Sequence, residues 1–388
     1  MRVPVDPPRG DAIQQFDALE LPIVDLVDAS GESGVGFGYT IGTGGSAILA
    51  LLEDELLPKL VGADLGGIVL LMSRLEKSIH ALTPGCLSST ALAAIDVALW
   101  DLAGKRASTP LYRLLGGARD RVRMYNTHVG WLNRPLDEMV HLSKEAVARD
   151  GFTALKLKVG KTDPDEDVER VAKVREAVGP KVTLMVDANQ SWRVDEAISR
   201  AQQLERFNLF WLEEPLEATD LDGFARLGRH TTIARAGGES LYSPAAFHQC
   251  IHRGALDILQ PDVARVGGIT KAIQVCHAAA AAGLAVAPHV SPELSVTVAA
   301  AVSNSVFVEY IPQMEPILKR PVLMRDGFAI PLDTPGHGIE FDPGELERLT
   351  VRNTSSDERA GPSRRSVLDT REHHAASMSS SGGGAPRE

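Results

Sequence analysis

Hydrophobic and polar positions along the chain fall into three textures. From residue 1 to 117, a strand-like run, "LELPIVDLV" (Leu19–Val27), leads into the glycine-rich "GESGVGFGYTIGTGG" and then into helical periodicity. The clearest helix here, "STALAAIDVALWDLAGK", sets Leu92, Ile95, Leu99 and Leu102 on one face, with Gly104 placed to end it. This predicts a small α+β domain. The glycine-rich stretch lacks the strand-to-helix context of a phosphate site and reads as a hairpin turn.

From 118 to 310 the pattern becomes strand, helix, strand, helix. The predicted strands are "VRMYN", "ALKLKV", "VTLMVD", "LFWLEE", "IARAGGE", "LDILQPD", "LAVAPH" and "VFVEY". One helix between them is marked at both ends: Asp163 as N-cap, Pro164 at the first position, Glu166 closing a capping box, and Gly179-Pro180 as the stop. Eight strands alternating with helices, with no dinucleotide fingerprint after the first, predict an α/β fold built as a TIM-like parallel barrel. Residues 311–350, aperiodic and proline-bearing, are expected to return to the first domain. Residues 352–388, rich in serine, glycine and charge, read as a disordered tail.

Within the second predicted strand, "ALKLKVG" carries Lys156 and Lys158 on one face, since strand side chains alternate with period two. Taken alone, this describes a wet sheet face, because solvated lysines greatly outnumber functional ones. The polar residue ending each strand changes the picture: Lys158, Asp187, Glu213, Glu239, Asp262, His289 and Glu309, at intervals of 29, 26, 26, 23, 27 and 20. Each interval is about one strand-plus-helix unit, so the seven side chains should share one rim, where parallel barrels keep their chemistry.

Three consecutive members are carboxylates: Asp187 in "MVDANQ", Glu213 in "WLEEP" and Glu239 in "AGGES". Like charges converging in a barrel mouth repel, and a hard all-oxygen set suits Mg²⁺ better than zinc. Glu214 competes with Glu213, but alternation sends it to the opposite face unless the strand has ended. Lys158 is a candidate base, its effective pKa expected to fall beside Lys156. His289 in "APHVSPE" is a second candidate, its tautomer fixed by Asp262 in "QPDVARVGG". Glu309, if protonated, could donate a hydrogen bond to a developing oxyanion. A metal flanked by two bases suits removal of a proton next to a carboxylate, with Mg²⁺, Lys156 and Glu309 stabilising the enediolate.

Composition narrows the alternatives. The 388 residues are 44% hydrophobic and 23% charged, ordinary for a globular protein. A net charge of −11, with no basic cluster among aromatics, argues against nucleic acid as a partner. Cys86, Cys250 and Cys276 are odd in number and far apart, which suggests neither a disulfide framework nor a cysteine metal site. No apolar run approaches the length of a bilayer span, and "MRVPVDPPRG" lacks the apolar core of a signal peptide, so no membrane partner and a cytoplasmic location are expected.

The ordered set "LKLKVG", "VDANQ", "WLEEP", "GGES", "QPDVARVGG" and "APH" resembles the mandelate racemase branch of the enolase superfamily, from about Val3 to Pro343. The resemblance implies a capping α+β domain from residues 1–117 and 311–350, and a (β/α)7β barrel over 118–310. It implies Mg²⁺ on Asp187, Glu213 and Glu239, bases at Lys158 and His289, a small carboxylate substrate and a homo-oligomer. In that family an early capping loop closes over the substrate; here it would be Pro8 to Phe16, joined by Tyr39 and Thr40. Arg9 and Gln14 are candidate carboxylate or hydroxyl contacts, with a merely solvated loop as the alternative. Asn126, His128, Trp131 and Asn189 are further candidates. The chain starts partway through the family's first capping strand, and nothing after Arg352 matches the family. Three chemistries stay open: acid-sugar dehydration, racemisation or epimerisation with the same site, and, against the metal triplet, a Schiff-base aldolase.

Overall fold

A computed structural model describes residues 1–352. The tail expected at 352–388 therefore lies, apart from Arg352, outside the described residues. β1 (Arg2–Gly10), where the resemblance put the first capping strand, pairs antiparallel with β2 (Gln15–Glu20) despite Pro4, Pro7 and Pro8. In a two-stranded ribbon a proline can face away from the ladder, and the register shifts between Pro4 and Arg9, where two of the three prolines fall. The expected loop Pro8 to Phe16 thus shrinks to residues 11–14, closed by Asp11 Oδ1 accepting from the amides of Ile13 and Gln14. "LELPIVDLV" is likewise two elements, because Leu21-Pro22 separates β2 from β3 (Ile23–Val27).

β3 pairs antiparallel with β4 (Ser33–Phe37) through a turn in which the Asp28 carboxylate accepts from the amides of Ser30 and Glu32. The turn was expected, but the glycines beyond it do something else. A Cβ at Gly34 or Gly36 would lie 2.2 Å or 2.1 Å from the carbonyl oxygens of Ala98 and Ala94, so β4 lies directly on a helix backbone. That helix is α3 (Cys86–Arg106), preceded by α1 (Gly45–Leu51) and α2 (Ile68–Ser78) and followed by α4 (Leu111–Leu114). α3 runs through Gly104, which the sequence placed as its end; a Cβ there would sit 2.7 Å from Gly336 Cα. It is buried on nearly every side, not on one face. By length and composition α3 could also cross a membrane, which a search for unbroken apolar runs misses, yet 78% of that window is buried inside the protein.

Eight parallel strands follow: β5 (Val122–Gly130), β6 (Ala154–Lys158), β7 (Thr183–Asp187), β8 (Leu209–Glu213), β9 (Ala234–Gly237), β10 (Ile258–Leu259), β11 (Ala285–Val286) and β12 (Val308–Tyr310). Each pairs with the next from β5 to β11, and β12 pairs with β5. The Val286–Ser305 bridge closes the ring. The crossovers carry α5 (Leu136–Ala148), α6 (Pro164–Val178), α7 (Val194–Leu204), α8 (Leu221–Leu227), α9 (Pro244–Arg253), α10 (Val263–Val266) with α11 (Ile269–Ala281), and α12 (Pro292–Ala301). The Asp163 N-cap and Gly179 stop expected for α6 are present, with Asp163 accepting from the Asp165 amide at 3.0 Å.

Beyond the barrel, β13 (Leu323–Arg325) and β14 (Phe328–Ile330) form a hairpin whose second strand pairs antiparallel with β5, and α13 (Pro343–Leu349) ends the described chain. Between them His337 reaches back: its amide donates to Asp101 Oδ1 (3.0 Å) and Nε2 meets the Val35 carbonyl (2.7 Å). Inside the barrel, Tyr125, Trp211 and Phe307 meet edge to face at 5.2–6.0 Å, and Met185, Ile258 and small alanines complete a dry floor.

Candidate active site

Register places the charged side chains above that floor. Lys158 stands opposite Asp187, and Asp187 opposite Glu213, so β6, β7 and β8 deliver three polar ends at one level. Lys156 lies one pleat lower, fully buried, its Nζ over the Tyr125 ring at 5.3 Å. That ammonium contacts Glu213 Oε1 (2.5 Å), Glu309 Oε1 (2.9 Å) and Asp187 Oδ2 (3.4 Å). Lys158 Nζ meets Asp187 Oδ2 at 2.5 Å and sits 5.5 Å from the Trp131 ring centre.

The expected lowering of Lys158 by Lys156 is present, but in the metal-free site it is outweighed. Burial opposes both charges, and Lys156 does work against Lys158. Asp187, Glu239 and Glu213 outweigh them and raise Lys158, while Glu213 and Glu309 hold Lys156 well above its ordinary range.

Oxygens of Asp187, Glu213 and Glu239 lie within 4.8 Å of one another. Burial and then Asp187 push the Glu213 carboxyl up to about 8. Burial also opposes charge on Asp187, but Lys158 and Lys156 keep it below the usual carboxylate value. Glu239 is held as a carboxylate by His289 Nε2 (2.8 Å from Oε2) and Arg265 Nη1 (3.1 Å from Oε1) against the cost of burial. With Glu214, Asp262 and Glu309, six buried or half-buried acids face only three permanent cations, Lys156, Lys158 and Arg265. The oxygen-only donor set of Asp187, Glu213 and Glu239, in which Glu213 keeps its proton near neutrality when no cation is bound, fits a hard divalent cation such as Mg²⁺.

Glu214 is nearer than strand alternation allowed. β8 ends at Glu213, and Glu214 adopts φ 36°, which turns its side chain into the buried mouth. There Gln190 Nε2 donates to its Oε2 (2.9 Å), while burial and Glu239 raise its pKa well above the ordinary value.

On the far side, His289 Nδ1 lies 2.8 Å from Asp262 Oδ2, the pairing the sequence anticipated. Burial opposes charge on the ring, but Glu239, Asp262 and Glu309 raise its pKa to about 10. Glu309 corrects a sequence expectation. Burial favours its neutral form, yet Lys156, His289 and Thr127 lower it to about 2, so it accepts hydrogen bonds from Thr127 Oγ1 (2.6 Å) and the Val290 amide (2.9 Å) and has no proton to donate.

The expected substrate contacts divide. Asn189 stands at the mouth with φ 44°, its amide donating to Asp187 Oδ1 (2.9 Å) and its own Oδ1 buried without a partner. Arg9, on β1, is only 8% exposed, and its Nε is buried without a hydrogen-bond partner. Burial, then Arg9 and Arg134, lower the His128 pKa to about 4, leaving a neutral ring with an unpartnered Nδ1. Asn126 caps the Val129 amide (3.2 Å), and exposed Gln14 closes the 11–14 turn through its backbone. Thr40 pairs with Glu20, and the Tyr39 hydroxyl is committed to Asp262.

Sequence reasoning passed over several groups that build the site. Gln260 Nε2 (2.8 Å) and Trp211 Nε1 (2.9 Å) both donate to Glu213 Oε2. Arg265 ties Glu239 to Asp262. All three lie inside quoted motifs, Trp211 in "WLEEP" and Gln260 and Arg265 in "QPDVARVGG", but only Arg265 carried a signal, as a cation three residues from the strand-end Asp262.

Comparison with known proteins agrees with this geometry. Residues 2–116 match the family described as mandelate racemase / muconate lactonizing enzyme, N-terminal domain, and residues 138–345 match enolase C-terminal domain-like. The chain is 37% identical to an L-talarate/galactarate dehydratase of Salmonella typhimurium, over 86% of this chain and 82% of the relative. It is 36% identical to a 3,6-anhydro-alpha-L-galactonate cycloisomerase of Streptomyces coelicolor, over 86% and 92%. A crystal structure of a racemase from Streptomyces coelicolor with bound magnesium superposes with a TM-score of 0.87 at 35% identity, covering 90% of this chain and 97% of that one. A barrel with acids and bases on successive strand ends, beneath an α+β cap that matches separately, places the chain in the mandelate racemase/muconate lactonizing enzyme family of the enolase superfamily.

Proposed function

We propose that the protein is a Mg²⁺-dependent acid-sugar dehydratase acting on an aldonate or aldarate. The observation that carries the reading is the placement of Lys158 against Asp187 and His289 against Glu239, so that two proton-transfer groups flank one carboxylate triplet. Asp187, Glu213 and Glu239 would hold Mg²⁺, which supplies positive charge for the developing enediolate and for releasing the Lys158 proton. Lys158 Nζ then takes the proton next to the substrate carboxylate. His289 Nε2 returns one to the departing β-hydroxyl, while Asp262 holds Nδ1–H. Loss of water leaves an enol that tautomerises to a 2-keto-3-deoxy acid. Lys156 and Glu309 set the charge beneath the reacting carbon, and Arg9 and His128, each with one buried nitrogen lacking a partner, suit the polar far end of a sugar acid.

The test is incubation of protein and Mg²⁺ with a library of mono- and diacid sugars in D₂O, followed by NMR. The expected result is loss of the α-proton with formation of a keto acid. Exchange of the α-proton without loss of water would instead establish racemisation or epimerisation, which the same two flanking groups support. We also infer assembly into a homo-oligomer from the family resemblance, to be read by light scattering.

A further inference from the structure

Asp262 is where the N-terminal part of the chain touches the candidate base. Its Oδ2 accepts from His289 Nδ1 (2.8 Å) and from the Tyr39 hydroxyl (2.5 Å), and its Oδ1 accepts from the Arg265 amide (3.0 Å). Tyr39 lies two residues past β4 and 223 positions from Asp262. Its ring is buried, and the Arg265 guanidinium stacks over it at 5.4 Å while reaching Glu239.

The backbone around Tyr39 is fixed from both sides. The Gly38 amide donates to the Pro22 carbonyl (3.1 Å), and Thr40 and Glu20 exchange amide-to-carbonyl bonds at 2.9 and 3.1 Å. A Cβ at Gly38 would meet Thr90 Cγ2 of α3 at 2.4 Å. A tyrosine that reads substrate presents its hydroxyl to the mouth; this one donates its hydrogen bond to the carboxylate that already holds the imidazole.

We propose that Tyr39 is a positioning residue for His289: it holds Asp262 Oδ2 in line with the ring, keeps Nδ1–H bonded to that carboxylate, and so orients Nε2 for proton transfer to the departing β-hydroxyl. The orienting group of the histidine is thereby shared between barrel and cap, so this half of the chemistry is assembled only when the β3–β4 segment is seated. The inference rests on the role given to His289 above.

Tyr39→Phe keeps the ring and its stacking and deletes only the hydroxyl. A hydrogen bond to a charged acceptor should be worth about tenfold to a hundredfold in kcat, with KM changed by less than about twofold. In an Asp262→Asn background the same substitution should cost less than about twofold more, because the two act as one unit. The ¹H–¹⁵N signal of His289 Nδ1–H should shift in Tyr39→Phe while the unfolding midpoint stays put. A rise in KM at unchanged kcat would make Tyr39 a substrate contact, and full multiplicative loss in the double variant would detach it from Asp262; either overturns the proposal. If wild-type protein turns over no acid sugar, the proposed function fails. The His289 signal still decides this point, since an unchanged resonance in Tyr39→Phe refutes the positioning role.

Discussion

Replacing Lys156 by methionine keeps the volume of the side chain and removes the one ammonium that contacts Glu213, Glu309 and Asp187 together. Breaking a buried ion pair from one side costs about 3–5 kcal/mol, because the remaining charge stays desolvated. Protonation limits the loss. Glu213 already has a pKa of about 8, and without Lys156, which lowers it, this carboxyl keeps its proton further into the alkaline range. The metal-free variant should therefore lie near the lower bound, about 3 kcal/mol, at pH 7. The sign of the pH dependence follows: the folded pKa stands above the unfolded value, so this contribution is intact below the unfolded pKa and is lost as pH rises towards the folded one. The variant should lose up to about 1.4 kcal/mol per pH unit between 7 and 9 relative to wild type. Urea unfolding of metal-free protein at several pH values measures this, and added Mg²⁺ should restore more stability to the variant than to wild type. A variant within about 0.5 kcal/mol of wild type at pH 8, a change typical of an inert site, would refute the claim that Lys156 neutralises this ring.

Lys158→Ala and His289→Asn should each abolish turnover while circular dichroism and Mg²⁺ binding persist; near wild-type rates in either would remove that residue from proton transfer. Asp187→Asn should weaken Mg²⁺ by at least about tenfold in a calorimetric titration, and an unchanged isotherm would take it out of the ligand set. Glu293, at the start of α12, is buried with both carboxyl oxygens unpartnered, and burial raises its pKa to about 8. Its folded pKa exceeds the ordinary 4.5, so stability falls as pH climbs from 4.5 towards 8, and Glu293→Gln should flatten that decline in a thermal melt. A variant with the wild-type pH profile would show that the carboxyl is solvated.

The barrel and its rim were legible because a parallel strand-helix unit has a nearly constant length, so chemistry at strand ends repeats with it. All eight predicted barrel strands are present, and the rim residues Lys158, Asp187 and Glu213 stand side by side. What escaped were features set by single dihedrals or by distant contacts. Glu214 enters the mouth through one positive φ, which hydropathy alternation cannot register. The three prolines of β1 obscure any strand alternation, so that strand rested on the resemblance alone, and the glycines of β4 looked like turn residues when two of them serve close packing on α3. Protonation of Lys158 depended on the carboxylates around it, and that of Glu309 on the cations and the Thr127 hydroxyl around it. That is a sum over the whole rim, which no local pattern contains.

The floor of the barrel has a consequence for observation. Four tryptophans occur in the chain, and two of them adjoin the charged ring: Trp211, in the floor, donates to Glu213, and the Lys158 ammonium lies over the Trp131 ring at 5.5 Å. Indole emission responds to the electric field across the ring, and both fluorophores sit within a few ångströms of charges whose balance defines the state of the mouth. The molecule thus carries two built-in optical probes, so that ion loading and proton uptake at these groups can be followed in real time, in unlabelled protein and without turnover.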